Sequence, residues 1–197
     1  PIKPTRKEPG RVMKKIVYVL AMMSAIGVTA AQAVLIADFD KGSKPNNVGG
    51  DFGAWDKDPT DKTQYAREGF DNVNTRTGSG YSMRISYDVD SPNAAYNGFW
   101  MKLGNYDGSK SAKLIFWAKG DDKKGCTSRI KVELKNASER GSYYVDGVGP
   151  QWTKFEIPFE EFNVSDLSAL TEVVIVFEDH TSVPKEGIIY FDDFSIE

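Results

Sequence analysis

The 197-residue sequence has one cysteine, Cys126, and one histidine, His180. A single cysteine excludes an intramolecular disulfide, so packing or a metal must hold the fold together. Metal sites and catalytic triads that draw on several histidines are excluded as well. Cys126 has no histidine near it in sequence and reads as a buried, inert thiol. Basic residues are not in excess, since 25 Lys and Arg face 28 Asp and Glu for a formal charge of −3. That balance argues against a nucleic-acid partner, which needs a basic face. A membrane-spanning helix is not expected either. The apolar run from Ile16 to Ala31 is broken by Ser24, Gly27 and Thr29 and falls short of the ~20 residues a span requires.

That run reads instead as part of an export signal. Met13-Lys14-Lys15 supplies its basic start, and Ala31-Gln32-Ala33 supplies small residues at the cleavage positions. Residues 1–12 contain no Met and read as sequence upstream of the true start. Cleavage after Ala33 would leave an exported protein beginning at Val34, bound for the periplasm or the medium and not for the membrane. A lipoprotein is not expected, because Cys126 lies far from the signal. Residues 1–33 hold six basic residues and one acidic residue, so 19 Lys and Arg would face 27 Asp and Glu, a charge of −8. Neutral polysaccharide is one partner that suits such a chain. Residues 34–197 suit one domain with a sizeable core, expected as a monomer.

Glycine, proline, asparagine and aspartate punctuate this part of the chain. Val34–Asp40 reads as an opening strand, and residues 41–62 as a long loop. Trp55 within that loop is either a plug over the core or a platform for a ligand. Tyr81, Met83, Ile85 and Tyr87 alternate onto one face of a strand. In 96–103, Phe99, Met101 and Leu103 fall on one face and Gly98, Trp100 and Lys102 on the other. Residues 113–119 form a further strand. In 129–135, Ile130, Val132 and Leu134 turn inward, and Arg129, Lys131, Glu133 and Lys135 outward. Strands are also expected at 141–146, 152–159 and 188–196. The β-branched run 172–178 is expected in the middle of a sheet. Residues 159–170 read as a helical turn with Ser165-Asp166 at its cap. Many short strands with almost no helix give an all-β, two-sheet antiparallel β-sandwich.

Chemistry is sparse. Gly120 to Thr127 has the glycine spacing of a phosphate loop, but Cys126 stands where the lysine is required, and the segment reads as a hairpin loop. Asp56, Asp58 and Asp61 begin like a calcium loop, yet Asp61 occupies the glycine position, so a solvated acidic turn is expected. The chain's two ends offer a better cation site. Asp40 follows the first strand and Asp192 lies in the last. Adjacent terminal strands would bring these carboxylates to one structural calcium. A glycosidase needs two carboxylates across a sugar, and Glu133 with Glu178 is the best pair for that alternative.

Four segments taken together resemble a known family. They are Ala37-Asp38-Phe39-Asp40, Tyr96-Asn97-Gly98, the run 152–159 from Trp152 to Phe159, and 189–194 with Asp192. In this order they resemble the family 11 carbohydrate-binding modules, galactose-binding-like jelly rolls. The resemblance implies a β-glucan-binding cleft on one sheet, structural calcium, and attachment to cellulases or other glucanases. It matches Tyr96 to a cleft tyrosine, Asp40 and Asp192 to acidic positions, and Trp152 to a packing residue. The apolar run 173–177 departs from the family's polar, tyrosine-bearing strand. A protein-binding relative of the intermediate-associated proteins of respiratory-complex assembly is a further alternative. The expected function is non-catalytic binding of polysaccharide. Sugar faces would stack on Trp100, Tyr96, Trp55 and Tyr144, while Lys102, Lys131 and Glu133 orient hydroxyls.

Overall fold

The structure, a computed structural model, describes residues 33–197. The expected export signal and upstream start lie outside the described residues, apart from Ala33. Eleven strands follow in order: β1 (Val34–Ala37), β2 (Phe52–Asp56), β3 (Tyr65–Asp71), β4 (Ser82–Asp88), β5 (Tyr96–Tyr106), β6 (Lys113–Gly120), β7 (Arg129–Lys135), β8 (Arg140–Asp146), β9 (Thr153–Pro158), β10 (Leu170–Glu178) and β11 (Glu186–Ile196). One sheet has the order β3-β4-β11-β6-β9, with β1 paired to the end of β11. The other has the order β2-β5-β10-β7-β8. Every pairing is antiparallel. This is the expected β-sandwich.

Alternation decides which side chains fill the space between the sheets. Met83, Ile85 and Tyr87 of β4 are fully buried, as are Phe99 and Met101 of β5, Val132 and Leu134 of β7, and Ile175 and Phe177 of β10. The Tyr87 ring stacks on Phe177 at 4.0 Å and joins the two sheets. Its hydroxyl donates to the Pro184 carbonyl at 3.1 Å and accepts from the Thr127 amide at 2.6 Å. A phenol buried in the core is thereby satisfied on both sides. In β11, Phe191 and Phe194 both face the core although they stand three positions apart, an odd spacing that strict alternation would put on opposite faces. A bulge between Asp192 and Ser195, with Asp193 at φ 45°, resets the alternation.

Three expectations need correction. The segment 41–62 is not all loop. Phe52–Asp56 pairs with β5 as an edge strand, Phe52 opposite Met101 and Trp55 opposite Gly98. Its Gly, Ala and Asp content gives no strand signal, and the buried Phe52 ring holds it to the core. Its exposed edge is covered by Glu68 of β3, whose carboxylate accepts from the Ala54 amide at 2.8 Å. The 120–127 segment is not a hairpin loop, because β6 and β7 belong to different sheets. The helical turn extends only over the 3-10 helix Phe159–Phe162, and Ser165-Asp166 does not cap it. Asp166 instead closes a turn onto Ser168.

Candidate glycan-binding cleft

The five-stranded sheet presents its outer face as a regular grid. Along one row across the strands lie Lys102, Glu172, Lys135 and Arg140. The next row holds Gly53, Trp100, Val174, Glu133 and Ser142. A third holds Trp55, Gly98, Val176, Lys131 and Tyr144. Tyr96 and Glu178 face each other beyond it. Twelve of the face's side chains line one open cleft of about 570 Å³, with Trp55, Tyr96 and Trp100 at one end and Arg140 among the residues at the other. The strands that carry these groups bury their alternate residues in the core, which fixes the face in place.

The two tryptophans are seated reciprocally. Trp55 of β2 lies over Gly98 of β5, where a Cβ would come 3.2 Å from the indole nitrogen. Trp100 of β5 lies over Gly53 of β2, where a Cβ would come 3.3 Å from the ring. Each glycine leaves room for the other strand's indole, so both rings settle on the sheet. Tyr96, 42 % exposed, meets Trp55 edge-on at 5.8 Å. The Lys102 ammonium stands 5.4 Å from the centre of the Trp100 ring. Trp55 is therefore no plug over the core. It belongs to the cleft.

Polar groups form an alternating chain across the rest of the face. Lys102 pairs with Glu172, which also takes Lys135 at 2.9 Å. Glu133 sits 3.6 Å from both Lys135 and Lys131. Lys131 reaches Glu178 at 3.0 Å, and Glu178 accepts the Tyr144 hydroxyl at 2.6 Å. Burial pushes the Glu178 carboxyl up, but Tyr144 and Lys131 outweigh it and hold the group below its ordinary range. Lys102 and Lys135 do the same for Glu172 against its burial. A glycosidase acid must keep its proton. Glu178 is held ionised and fits an acceptor's role.

All seven expected binding residues lie on this face, and all but Tyr144 line the cleft directly. Among the cleft residues, Lys135 was expected only as outward-facing, and sequence reasoning missed Glu172, Val174, Val176 and Arg140. Counting back in twos from Glu178 along β10, and from Tyr144 along β8, would have found them. The apolar run 173–177 supplies the core with its odd positions and the cleft floor with Val174 and Val176.

The expected cation site lies elsewhere. β1 and β11 do adjoin. Asp192 is buried, and burial followed by the neighbouring Asp193 pushes its carboxyl up to about 7. It accepts backbone amides of Arg76 at 3.4 Å and Asp193 at 2.9 Å, while the Arg76 guanidinium is taken by Asp193. Asp40 is exposed beyond β1 and packs against Gly80 of the same β3–β4 connection that carries Arg76. A hard cation suits a buried carboxyl of this kind. Among the described residues, no three His, Cys, Asp or Glu side chains cluster to hold a metal ion.

The family model for the carbohydrate binding domain (family 11) matches residues 24–168. The chain belongs to carbohydrate-binding family 11. No curated protein matches it by sequence. Among solved structures, it is similar to the family 11 module of a cellulosomal cellulase of Clostridium thermocellum. That likeness has 18 % identity and a TM-score of 0.61, over 85 % of this chain and 95 % of the other. A Clostridium thermocellum family 11 module in complex with a β-1,3-1,4-mixed-linked tetrasaccharide matches with the same identity and TM-score, over 85 % and 96 %. A xylan-binding domain from Paenibacillus barcinonensis follows at 12 % identity and a TM-score of 0.52, over 85 % and 96 %. These likenesses show the fold. The family 11 match ends at residue 168, before β10, the strand that floors the cleft of this family 11 chain.

Proposed function

We propose that this family 11 domain is an exported, non-catalytic, monomeric module that binds polysaccharide of the β-glucan class in the cleft of its five-stranded sheet. The observation that carries the reading is the reciprocal seating of Trp55 over Gly98 and Trp100 over Gly53 beside an alternating row of lysines and glutamates. Flat rings offer apolar area to the CH faces of sugars at little entropic cost. The charged row offers donors and acceptors to hydroxyls. Such a combination of apolar floor and few oriented polar groups is what small-ligand clefts use. The bound mixed-linked tetrasaccharide in the Clostridium thermocellum module supports the same class of ligand here. Affinity electrophoresis on a panel of β-glucans, with wild type and Trp100→Ala compared, tests the reading.

The export signal at residues 13–33 belongs to the same proposal. N-terminal sequencing of exported protein would begin at Val34, and intact Met13 would contradict it. One structural calcium at Asp192 and Asp40 is proposed with it. The remaining ligands would be oxygens, which a cation of this type prefers.

A further inference from the structure

The charge pattern of the cleft narrows the ligand, and this inference rests on the proposed glycan-binding reading. Four cations line the cleft, Lys102, Lys131, Lys135 and Arg140, against three carboxylates, Glu133, Glu172 and Glu178. The three lysines and three glutamates are joined in one alternating chain. Arg140 is left over. It is exposed at the first position of β8, directly across from Lys135. It makes no side-chain hydrogen bond or ion pair among the described residues. Glu139, the carboxylate beside it in sequence, is already occupied. The Ser165 hydroxyl at 2.5 Å, the Asp166 amide at 3.1 Å and the Asn136 amide group at 2.8 Å all donate to it. These donors hold its carboxyl down at about 2.

A free guanidinium beside a lysine, at the wall of a sugar cleft, is a seat for an anion. Its planar fork fits the two oxygens of a carboxylate or a sulfate. β5, which carries Trp100, and β8, which carries Arg140, are three strand spacings apart, ~14 Å across the sheet. A short oligosaccharide bridges that distance. The chain as a whole is acidic, which disfavours a dense polyanion, but charges beyond ~8 Å are largely screened at physiological ionic strength. A sparsely charged glycan meets both conditions.

We propose that the cleft takes a mostly neutral polysaccharide carrying an anionic substituent. Arg140, with Lys135 beside it, holds the anion while Trp100 and Trp55 stack the neutral rings. The test is calorimetry on the full chain with three probes. These are mixed-linkage β-glucan, glucuronoxylan with its carboxyl-reduced form, and a sulfated galactan with its desulfated form. At least one charged probe should bind about ten-fold more tightly than its neutralised partner, as loss of a charge-assisted hydrogen bond implies. Which one does so separates carboxylate from sulfate. Arg140→Gln should bring that ratio to about one, and Arg140→Lys should keep part of it. Equal binding of charged and neutralised forms, or a preference that survives Arg140→Gln, would overturn the inference. Glucan binding without any charge preference overturns this inference alone. Absence of binding to every probe, β-glucan included, overturns the parent reading with it.

Discussion

Trp55 and Gly98 face each other across β2 and β5, and the indole occupies the space a side chain at 98 would need. Beneath it the fit is tighter still, because a Cβ at 98 would come 1.9 Å from the Ile175 carbonyl of β10. Gly98→Ala should therefore push β5 from β10 and unseat Trp55 together. A destabilisation of about 2–3 kcal/mol, typical of overpacking, is expected from the urea midpoint. An unchanged midpoint would mean the strands can part without cost.

The Tyr144–Glu178–Lys131 contact gives the cleft a pH dependence of known sign. Glu178 and Glu172 titrate below their ordinary value of 4.5 in the folded state. Their contribution to stability is full above that value and is lost as pH falls through the lower folded ones. Urea midpoints measured from pH 7 to pH 3 should decline below about pH 4.5. The decline should be shallower in Glu178→Gln. Parallel profiles would remove Glu178 from the account.

Tyr87→Phe keeps the stack on Phe177 and removes only the hydroxyl. The Thr127 amide then loses its partner in a buried place, and the Pro184 carbonyl loses its own in a part-buried one. A cost of about 1–3 kcal/mol is expected for such orphaned groups. Thermal unfolding of the variant measures it, and a melting point equal to wild type would show that water replaces the hydroxyl.

The proposed calcium at Asp192 and Asp40 predicts that a chelator lowers the melting temperature, because a ligand held only by the folded state stabilises it. Asp192→Asn should remove the chelator's effect. A melting temperature indifferent to chelator argues against the ion.

Much of this architecture is legible in the amino-acid sequence. The alternation in 96–103 and 129–135 placed Trp100, Lys102, Lys131 and Glu133 on one side of their strands, and the sandwich follows from many such short strands. What the sequence hid has physical causes. β2 carries Gly, Ala and Asp, residues of low strand propensity, and is held by the single buried ring of Phe52. Between Glu172 and Glu178, β10 is apolar on both faces, so its period of two shows only at those two glutamates, although Val174 and Val176 floor the cleft. That β6 and β7 part to different sheets depends on long-range pairing with β11 and β10. No local signal in 120–127 encodes it.

The binding claim rests on Trp100 more than on any other side chain. Affinity electrophoresis of wild type and Trp100→Ala through gels containing β-glucan tests it most directly. Wild type should be retarded, and the variant should migrate as in a glycan-free gel. Retardation equal in the two proteins would contradict stacking on this ring.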